Sequence, residues 1–297
     1  MTGRLVWACT STLLVSAGLT LLFVRLGPRW PLRARGDGRG IGGPAFALAL
    51  LVGVAPVLPE IGTWLALGGA AIVWVGLLDD LVGLSPWQKL LGQSVGAALA
   101  TAALSDAVPA LLGVTVPIGA GRVVVSFLWV LTLTNAVNLI DGLDGLAVSV
   151  LAPPFIGLLV LAGLRGRAVE VTAVAATLAA LAGFAPANRR PARLLLGDTG
   201  AELLGYLLAA FALAILRRGE AGWAIVPAVF LAGVPLADTL FAVARRLARR
   251  RPVFARDEGH IHHRLAARLG VGQAVALLAG VSLLASGAAV LLWCAGA

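Results

Sequence analysis

The sequence predicts an all-α, polytopic membrane protein. Three observations carry this. Of the 297 residues, 60% are hydrophobic and only 12% are charged, with a mean hydropathy of +0.96; a soluble domain carries about a quarter charged residues. The apolar residues fall in uncharged stretches close to the 20 or so residues that a helix needs to cross a bilayer. The basic residues are shared unevenly between the loops these stretches leave. The runs are continuous rather than alternating, which excludes a transmembrane barrel.

Ten stretches qualify: 5–24, 40–59, 61–78, 90–105, 123–140, 145–164, 171–188, 203–216, 221–237 and 269–294. The first lacks a small-residue cleavage site and runs straight into Arg25, so it reads as a helix rather than a signal peptide. Stretch 107–121 is also uncharged, but Pro109, Pro117 and three glycines mark it as an outer loop. With both termini outside, the inner loops hold 17 of the 23 basic residues: five arginines from Arg25 to Arg39, Lys89, Arg189, Arg190, Arg193, and eight arginines from Arg245 to Arg268. A span at 107–121 would destroy that bias. The expectation is one domain over 1–297 in the plasma membrane, with five cytoplasmic loops. The net charge of +9 then reflects topology and anionic lipid rather than nucleic acid. Cys9 and Cys294 lie in separate apolar stretches and read as buried thiols rather than a disulfide.

The same inner loops collect the unusual residues. "GLLDDLVGLSPWQKLLGQ" carries Asp79, Asp80 and Lys89. "NAVNLIDGLDGLA" (135–147) carries Asn135, Asn138, Asp141 and Asp144. "PANRRPARLLLGDTGAELLG" carries Asn188, Asp198 and Glu202. The last inner loop carries Asp238 and all three histidines, His260, His262 and His263. Singly, each has a structural role to hand. The Asp79–Asp80 pair ends a helix at the membrane surface, and Asp198 caps the helix after "GDTG". Asp238 caps a helix or pairs with an arginine. The histidines lie in a solvated loop, zinc being disfavoured by the want of a cysteine or clear fourth ligand. Jointly they point to more than structure, because polar groups at membrane depth are costly and usually functional, and these converge on one face of the bilayer.

Steps of three keep Asn135, Asn138 and Asp141 near one helical face, pointing into the bundle. Gly142 and Gly145 let the chain turn, so that Asp144 reaches the same place. Carboxylate and amide oxygens suit a hard cation such as Mg²⁺, or the donors of a ribose or base. Histidines and arginines across the site suit phosphate oxygens. Together these are the components of phosphoryl transfer, and the membrane setting implies a lipid partner.

At these motifs the chain resembles the polyprenyl-phosphate N-acetylhexosamine-1-phosphate transferases, from roughly residue 28 to 269. "LLDDLVGLSPWQKLLGQ", "NAVNLIDGLDGLA", "LLLGDTGA" and "DEGHIHHRL" follow in that family's order, and "RGIGG" (39–43) is similar to the end of its first loop motif. The resemblance implies transfer of a sugar-1-phosphate, GlcNAc-1-phosphate first, from a UDP-sugar to a polyprenyl phosphate, with release of UMP. It implies Mg²⁺, with Mn²⁺ as an alternative, at Asp198 and Asn138. Asp79 and Asp80 would act on the lipid phosphate, which Lys89 helps to hold. Asp141, Asp144 and Asn188, with Asn135 beside them, would line the substrate pocket. His260, His262 and His263 would lie near the pyrophosphate and sugar. "HIHH" followed by Arg264 is similar to the GlcNAc-1-phosphate branch rather than the phospho-MurNAc-pentapeptide branch, which stands as the alternative. The partners implied are the bilayer and the two substrates, with a second copy of the chain as a further candidate. Two departures stand out: Leu195 occupies the place of an aromatic that often stacks on uracil, and Glu202 adds a negative charge one turn after Asp198.

Two rivals remain. A nucleotide-sugar or lipid-phosphate transporter would also use intramembrane carboxylates, but it would show repeated halves and midplane polar groups. A CDP-alcohol phosphotransferase needs a DGxxAR signature, which "DGLAVS" and "DGLDGL" both lack.

Overall fold

The computed structural model describes residues 2–26, 29, 32–33, 38–104, 120–216, 225–250 and 259–296. Its helices are α1 (Thr2–Leu26), α2 (Gly43–Val54), α3 (Leu58–Ile61), α4 (Thr63–Val82), α5 (Pro86–Leu104), α6 (Ala120–Ile140), α7 (Leu146–Leu164), α8 (Ala168–Asn188), α9 (Gly197–Ile215), α10 (Ile225–Leu231), α11 (Gly233–Ala248), α12 (Ile261–Leu269) and α13 (Val271–Ala295). A short parallel pair, β1 (Gly40–Ile41) with β2 (Leu194–Leu195), joins two of the loops. Most of the expected outer loop 107–121 lies outside the described residues, as do Arg35, Arg217, Arg218, Arg251, Arg256, Asp257 and Glu258.

Among the described residues, eight helices, counting α2–α3 as one, are long and apolar enough to cross a membrane. The pair α10–α11, bent by 82°, makes a ninth if counted as one span. The protein is a multi-pass membrane protein. The expected stretch 90–105 lies in α5, a full-length helix that carries Lys89, Gln93, Ser94 and Thr101 and is not apolar enough to count among these spans, so the described residues give eight or nine spans where ten were expected. The outer surface fits a bilayer: Leu14, Leu91, Leu284 and Leu291 are each more than 70% exposed, which is stable only against lipid or a partner.

Boundaries depart from the expected ones for local reasons. Pro56 and Pro59 break the second stretch into α2, a 3₁₀ turn and α3, because proline lacks the N–H a continuous helix needs. Pro235 has no N–H for the carbonyl of Leu231, which accounts for the bend between α10 and α11. At α5, Ser85 and Gln88 form a reciprocal capping box, Ser85 N–H donating to Gln88 Oε1 at 2.9 Å, with Pro86 opening the helix. Several expected loop residues are helical: Asp79 and Asp80 lie in the last turn of α4, Lys89 in the first turn of α5, Asp198 and Glu202 in the first turns of α9, Asp238 in α11, and His262 and His263 in α12.

Helix α9 is the centre of the bundle. Of its most apolar window 83% is buried, against 22% for α1 and for α13. Its small residues explain this. A Cβ on Gly205 would meet the carbonyl oxygen of Leu133 at 2.5 Å, and one on Gly200 the side chain of Leu196 at 2.5 Å. In lipid, helices gain little from apolar burial alone, and close backbone approach supplies the attraction instead. Helix α1 obeys the same rule: its buried face is Ala8, Thr12, Ser16 and Thr20, and Ser16 donates to the carbonyl of Ala180 at 2.8 Å. Both thiols are free, but Cys294 is exposed on the peripheral α13, not buried as the apolar run implied.

Gly205→Val is expected to lose about 1–3 kcal/mol of stability through overpacking, seen as a lower melting temperature in detergent. Gly163→Ala, where an added Cβ meets nothing within 4 Å, should melt like the parent.

Candidate active site

Helix α9 begins abruptly, with none of its own side chains capping it. Its first N–H groups are instead satisfied by α4. Asp80 Oδ1 accepts from the Asp198 N–H at 2.9 Å, and Oδ2 accepts from the Thr199 N–H at 3.0 Å and the Thr199 hydroxyl at 2.5 Å. Glycines permit the approach. A Cβ on Gly197 (φ +71°) would lie 3.0 Å from both Asp80 oxygens, and one on Gly76 would lie 2.6 Å from Thr199 Cα. Strand β1 pins the other side, with Gly42 N–H donating to the Leu195 carbonyl at 2.8 Å.

Lys89, in the first turn of α5, is the hub of the next layer. Its Nζ lies 2.8 Å from Asp79 Oδ2, 2.6 Å from Asp198 Oδ1 and 2.9 Å from Glu202 Oε1. Asn138 donates to the same Glu202 oxygen at 3.2 Å, and Glu202 Oε2 is buried with no hydrogen-bond partner among the described residues. Asp79 also accepts the Leu84 N–H at 2.7 Å. Four elements thus meet in one cluster: the end of α4, the starts of α5 and α9, and the end of α6.

Asp141 follows α6. Burial, and then the charges of Asp198 and Asp80, push its carboxyl well above the usual carboxylate range, although the Gly197 N–H pulls the other way. Asp144 is held oppositely. Burial raises it, but the Ala192 N–H at 3.0 Å and Arg39 at 2.5 Å outweigh burial, and its carboxyl is lowered. Asn188 is buried and donates to the Leu194 carbonyl at 3.0 Å, while its Oδ1 has no partner.

Asp238, near the start of α11, organises the histidines. Its Oδ2 lies 2.6 Å from His260 Nδ1 and its Oδ1 lies 3.2 Å from His262 Nδ1. Oδ1 also accepts the Ile261 N–H at 2.7 Å, at the start of α12. A Cβ on Gly142 would meet His262 Nε2 at 2.8 Å and His263 Nε2 at 3.2 Å, so these histidines face the turn after α6.

The geometry sorts the expected residues. Asp79, Lys89, Asn138 and Asp198 share one cluster, with Asp141 near Asp198. Asp80 is set apart from Asp79 by its three donors from α9. Asn135 sits one turn deeper, donating to Gln93 Oε1 on α5 at 2.7 Å. Arg264 is exposed and lies 5.5 Å over the Phe241 ring; two residues past His262, it is about 200° round the helix and faces away. Leu195 lies in β2.

The model for the family described as glycosyl transferase family 4 matches residues 63–216, from α4 to α9. The chain belongs to glycosyl transferase family 4. Similar members include a probable undecaprenyl-phosphate N-acetylglucosaminyl 1-phosphate transferase of Bacillus subtilis, 35% identical over 76% of this chain and 65% of its own length. The decaprenyl-phosphate N-acetylglucosaminephosphotransferase of Mycobacterium tuberculosis is 33% identical over 66% of this chain and 55% of its own. The phospho-N-acetylmuramoyl-pentapeptide-transferase of Lactiplantibacillus plantarum is 29% identical over 80% and 78%. The chain thus spans less than two thirds of the first two relatives' length.

The family 4 match covers the lysine-centred cluster, whereas Asp238 and the histidines lie beyond it. Sequence reasoning missed three contributors. Gln93 is fully buried and was visible only as an amide in an apolar run. Arg39 meets Asp144 through a contact 105 residues apart. Thr199 carries no signal beyond its place in "GDTG".

Because the Asp144 carboxyl is lowered on folding, its contribution is full above the unfolded value, near pH 3.9, and fades as pH falls through the folded value. Asp144→Asn should therefore melt below the parent at pH 7, and the difference should narrow as the pH falls below the unfolded value. Melting curves across that range check it; a gap that widens on acidification would reverse the sign.

Proposed function

We propose that this chain transfers a sugar-1-phosphate, GlcNAc-1-phosphate first, from a UDP-sugar to a polyprenyl phosphate. The observation that carries the proposal is the cluster of Asp79, Asp198, Glu202 and Asn138 around Lys89, at one end of a membrane bundle. Membership of family 4 and the names of its relatives support the same reading. In the reaction, an oxygen of the lipid phosphate forms a bond to the sugar-bearing phosphorus, and the anhydride bond to UMP breaks. The attacking phosphate is largely ionised at neutral pH, its second pKa being near 6, so positioning matters more than deprotonation.

The donor set fits a divalent cation. Asp79, Asp198 and Glu202 offer oxygens within 4.8 Å of one another, and Glu202 Oε2 is buried without a partner. Asp198 and Asn138 would hold Mg²⁺ or Mn²⁺, with Glu202 and Asp79 beside them. Such an ion neutralises charge on a diphosphate and its leaving group. Lys89 then has a phosphate oxygen as an alternative to its three carboxylates. Asp79 orients the acceptor, and Asp80 holds the start of α9 so that Asp198 faces it. Asp141, Asp144 and Asn188 line the nucleotide side. Asn188 Oδ1 is a free acceptor for a base or ribose donor.

Since one phosphoanhydride is exchanged for another, the reaction should run measurably in reverse. Labelled UMP is expected to exchange into UDP-GlcNAc only when polyprenyl phosphate and Mg²⁺ are both present. Asp198→Asn should cut that exchange by at least about a hundredfold while the protein still purifies as a folded species. Vesicle uptake of the nucleotide, with no exchange for any UDP-sugar, would make a transporter the better reading.

The loops read as inner hold 17 of the 23 basic residues, which supports a site on the cytoplasmic face. With Cys9 and Cys294 replaced, a cysteine at Leu265, close to His262, should react with a membrane-impermeant thiol reagent only in inverted vesicles. Labelling in intact cells would place this end outside.

A further inference from the structure

The cluster around Asp238 takes no part in holding the proposed cation, yet it is built as tightly as the one around Lys89. Asp238 is 2% exposed, His260 4% and His262 1%. The carboxylate receives two imidazoles through Nδ1, at 2.6 and 3.2 Å, and two backbone N–H groups, of Ile261 at 2.7 Å and His262 at 3.3 Å. It caps α12 from α11 just as Asp80 caps α9 from α4. Arg245 ties the two segments again by donating to the Gly259 carbonyl.

We propose that Asp238 is a positioning residue that fixes His260 and His262 with the proton on Nδ1, and so presents Nε2 of His262 to a phosphate or hydroxyl of the substrate. A carboxylate can only accept hydrogen bonds, so each ring nitrogen facing it must carry the hydrogen. The opposite nitrogen is then free for the ligand. His262 Nε2 is buried and has no hydrogen-bond partner among the described residues. It lies against Gly142, where a Cβ would come within 2.8 Å; the glycine leaves that space to something else. The next charged groups along the turn are Asp141 and Asp144, which ties the imidazole to the same pocket. The identity of the ligand rests on the proposed function, whereas the tautomer assignment does not. The His260 contact of 2.6 Å is a hydrogen-bond length; Asp238, His260 and His262 also stand close enough to share one ion, which the experiment below distinguishes.

The chain's three histidines all lie in this cluster, so a ¹⁵N-histidine spectrum of the full chain, purified with a histidine-free tag, reports on nothing else. Two of the three rings are expected in the Nδ1–H form, and Asp238→Asn should move both out of it. The same variant should melt close to the parent but lose at least about tenfold in kcat, with a smaller change in KM for the UDP-sugar. Asp238→Glu should restore part of the Nδ1–H signal and part of kcat together. Nε2–H rings in the parent, unchanged turnover in Asp238→Asn, or one zinc ion bound per chain would each overturn the proposal. Should Asp238→Asn fail to fold, the parent spectrum decides alone. The expected spectrum without transfer from any UDP-sugar would sink the proposed function and leave the tautomer assignment standing.

Discussion

The carboxylate of Asp80 accepting the first N–H groups of α9 is the contact on which the site depends. A helix start leaves donors unsatisfied, and in a membrane protein they cannot be left to lipid. Here the acceptor comes from the last turn of α4, 118 residues earlier in sequence. That single pairing sets the height of α9 against α4. It thereby brings Asp198 and Glu202, on the first two turns of α9, level with Asp79 and Lys89. The partial positive charge of the helix start also favours the carboxylate that caps it. Asp80 is therefore committed to the start of α9, while Asp79 is directed at the lysine.

Three carboxylates gather around the one ammonium of Lys89. Buried charges are tolerated only when paired and hydrogen-bonded. Glu202 has one oxygen bound to Lys89 and Asn138 and one left without a partner. An arrangement of this kind leaves carboxylate oxygens that a further cation or the donors of a ligand could meet. The cost of assembling it is met by packing elsewhere, chiefly the close contacts of α9 with α6 and α4.

The spans are plain in the sequence, because an uncharged apolar run near 20 residues long matches the thickness of a bilayer's hydrocarbon core. The kinship of Asp79, Lys89, Asn138 and Asp198 is legible too, because polar groups in such runs are rare. The difference between Asp79 and Asp80 is not. They are adjacent in the chain, and only the position of α9 decides which one caps a helix. Nor does the sequence reveal Arg39 reaching Asp144, a contact between loops that β1 and β2 bring together with two residues each. The bend at Pro235 and the place of Asp238 were obscured for the same reason. Asp238 lies on an amphipathic helix among arginines, where an ion pair is the simpler reading, and its histidine partners lie 22 and 24 residues downstream.

Capping from a neighbouring helix gives the site a property that self-capping would not. A serine or aspartate at the N-cap position satisfies its own helix and says nothing about where that helix sits. A carboxylate from another element satisfies the helix only when the two are correctly docked. Docking and polar satisfaction then stand or fall together, since a displaced α9 or α12 would leave both a buried carboxylate and several N–H groups unpaired, at a cost of about 1–3 kcal/mol for each group. The glycines at 43, 76 and 197 follow from this demand, because a helix start approached from two sides has no room for side chains there. The clustered carboxylates and imidazoles are thus held at the ends of helices whose positions are themselves fixed by buried carboxylates, which is how a bundle lined by lipid keeps a polar cluster in register.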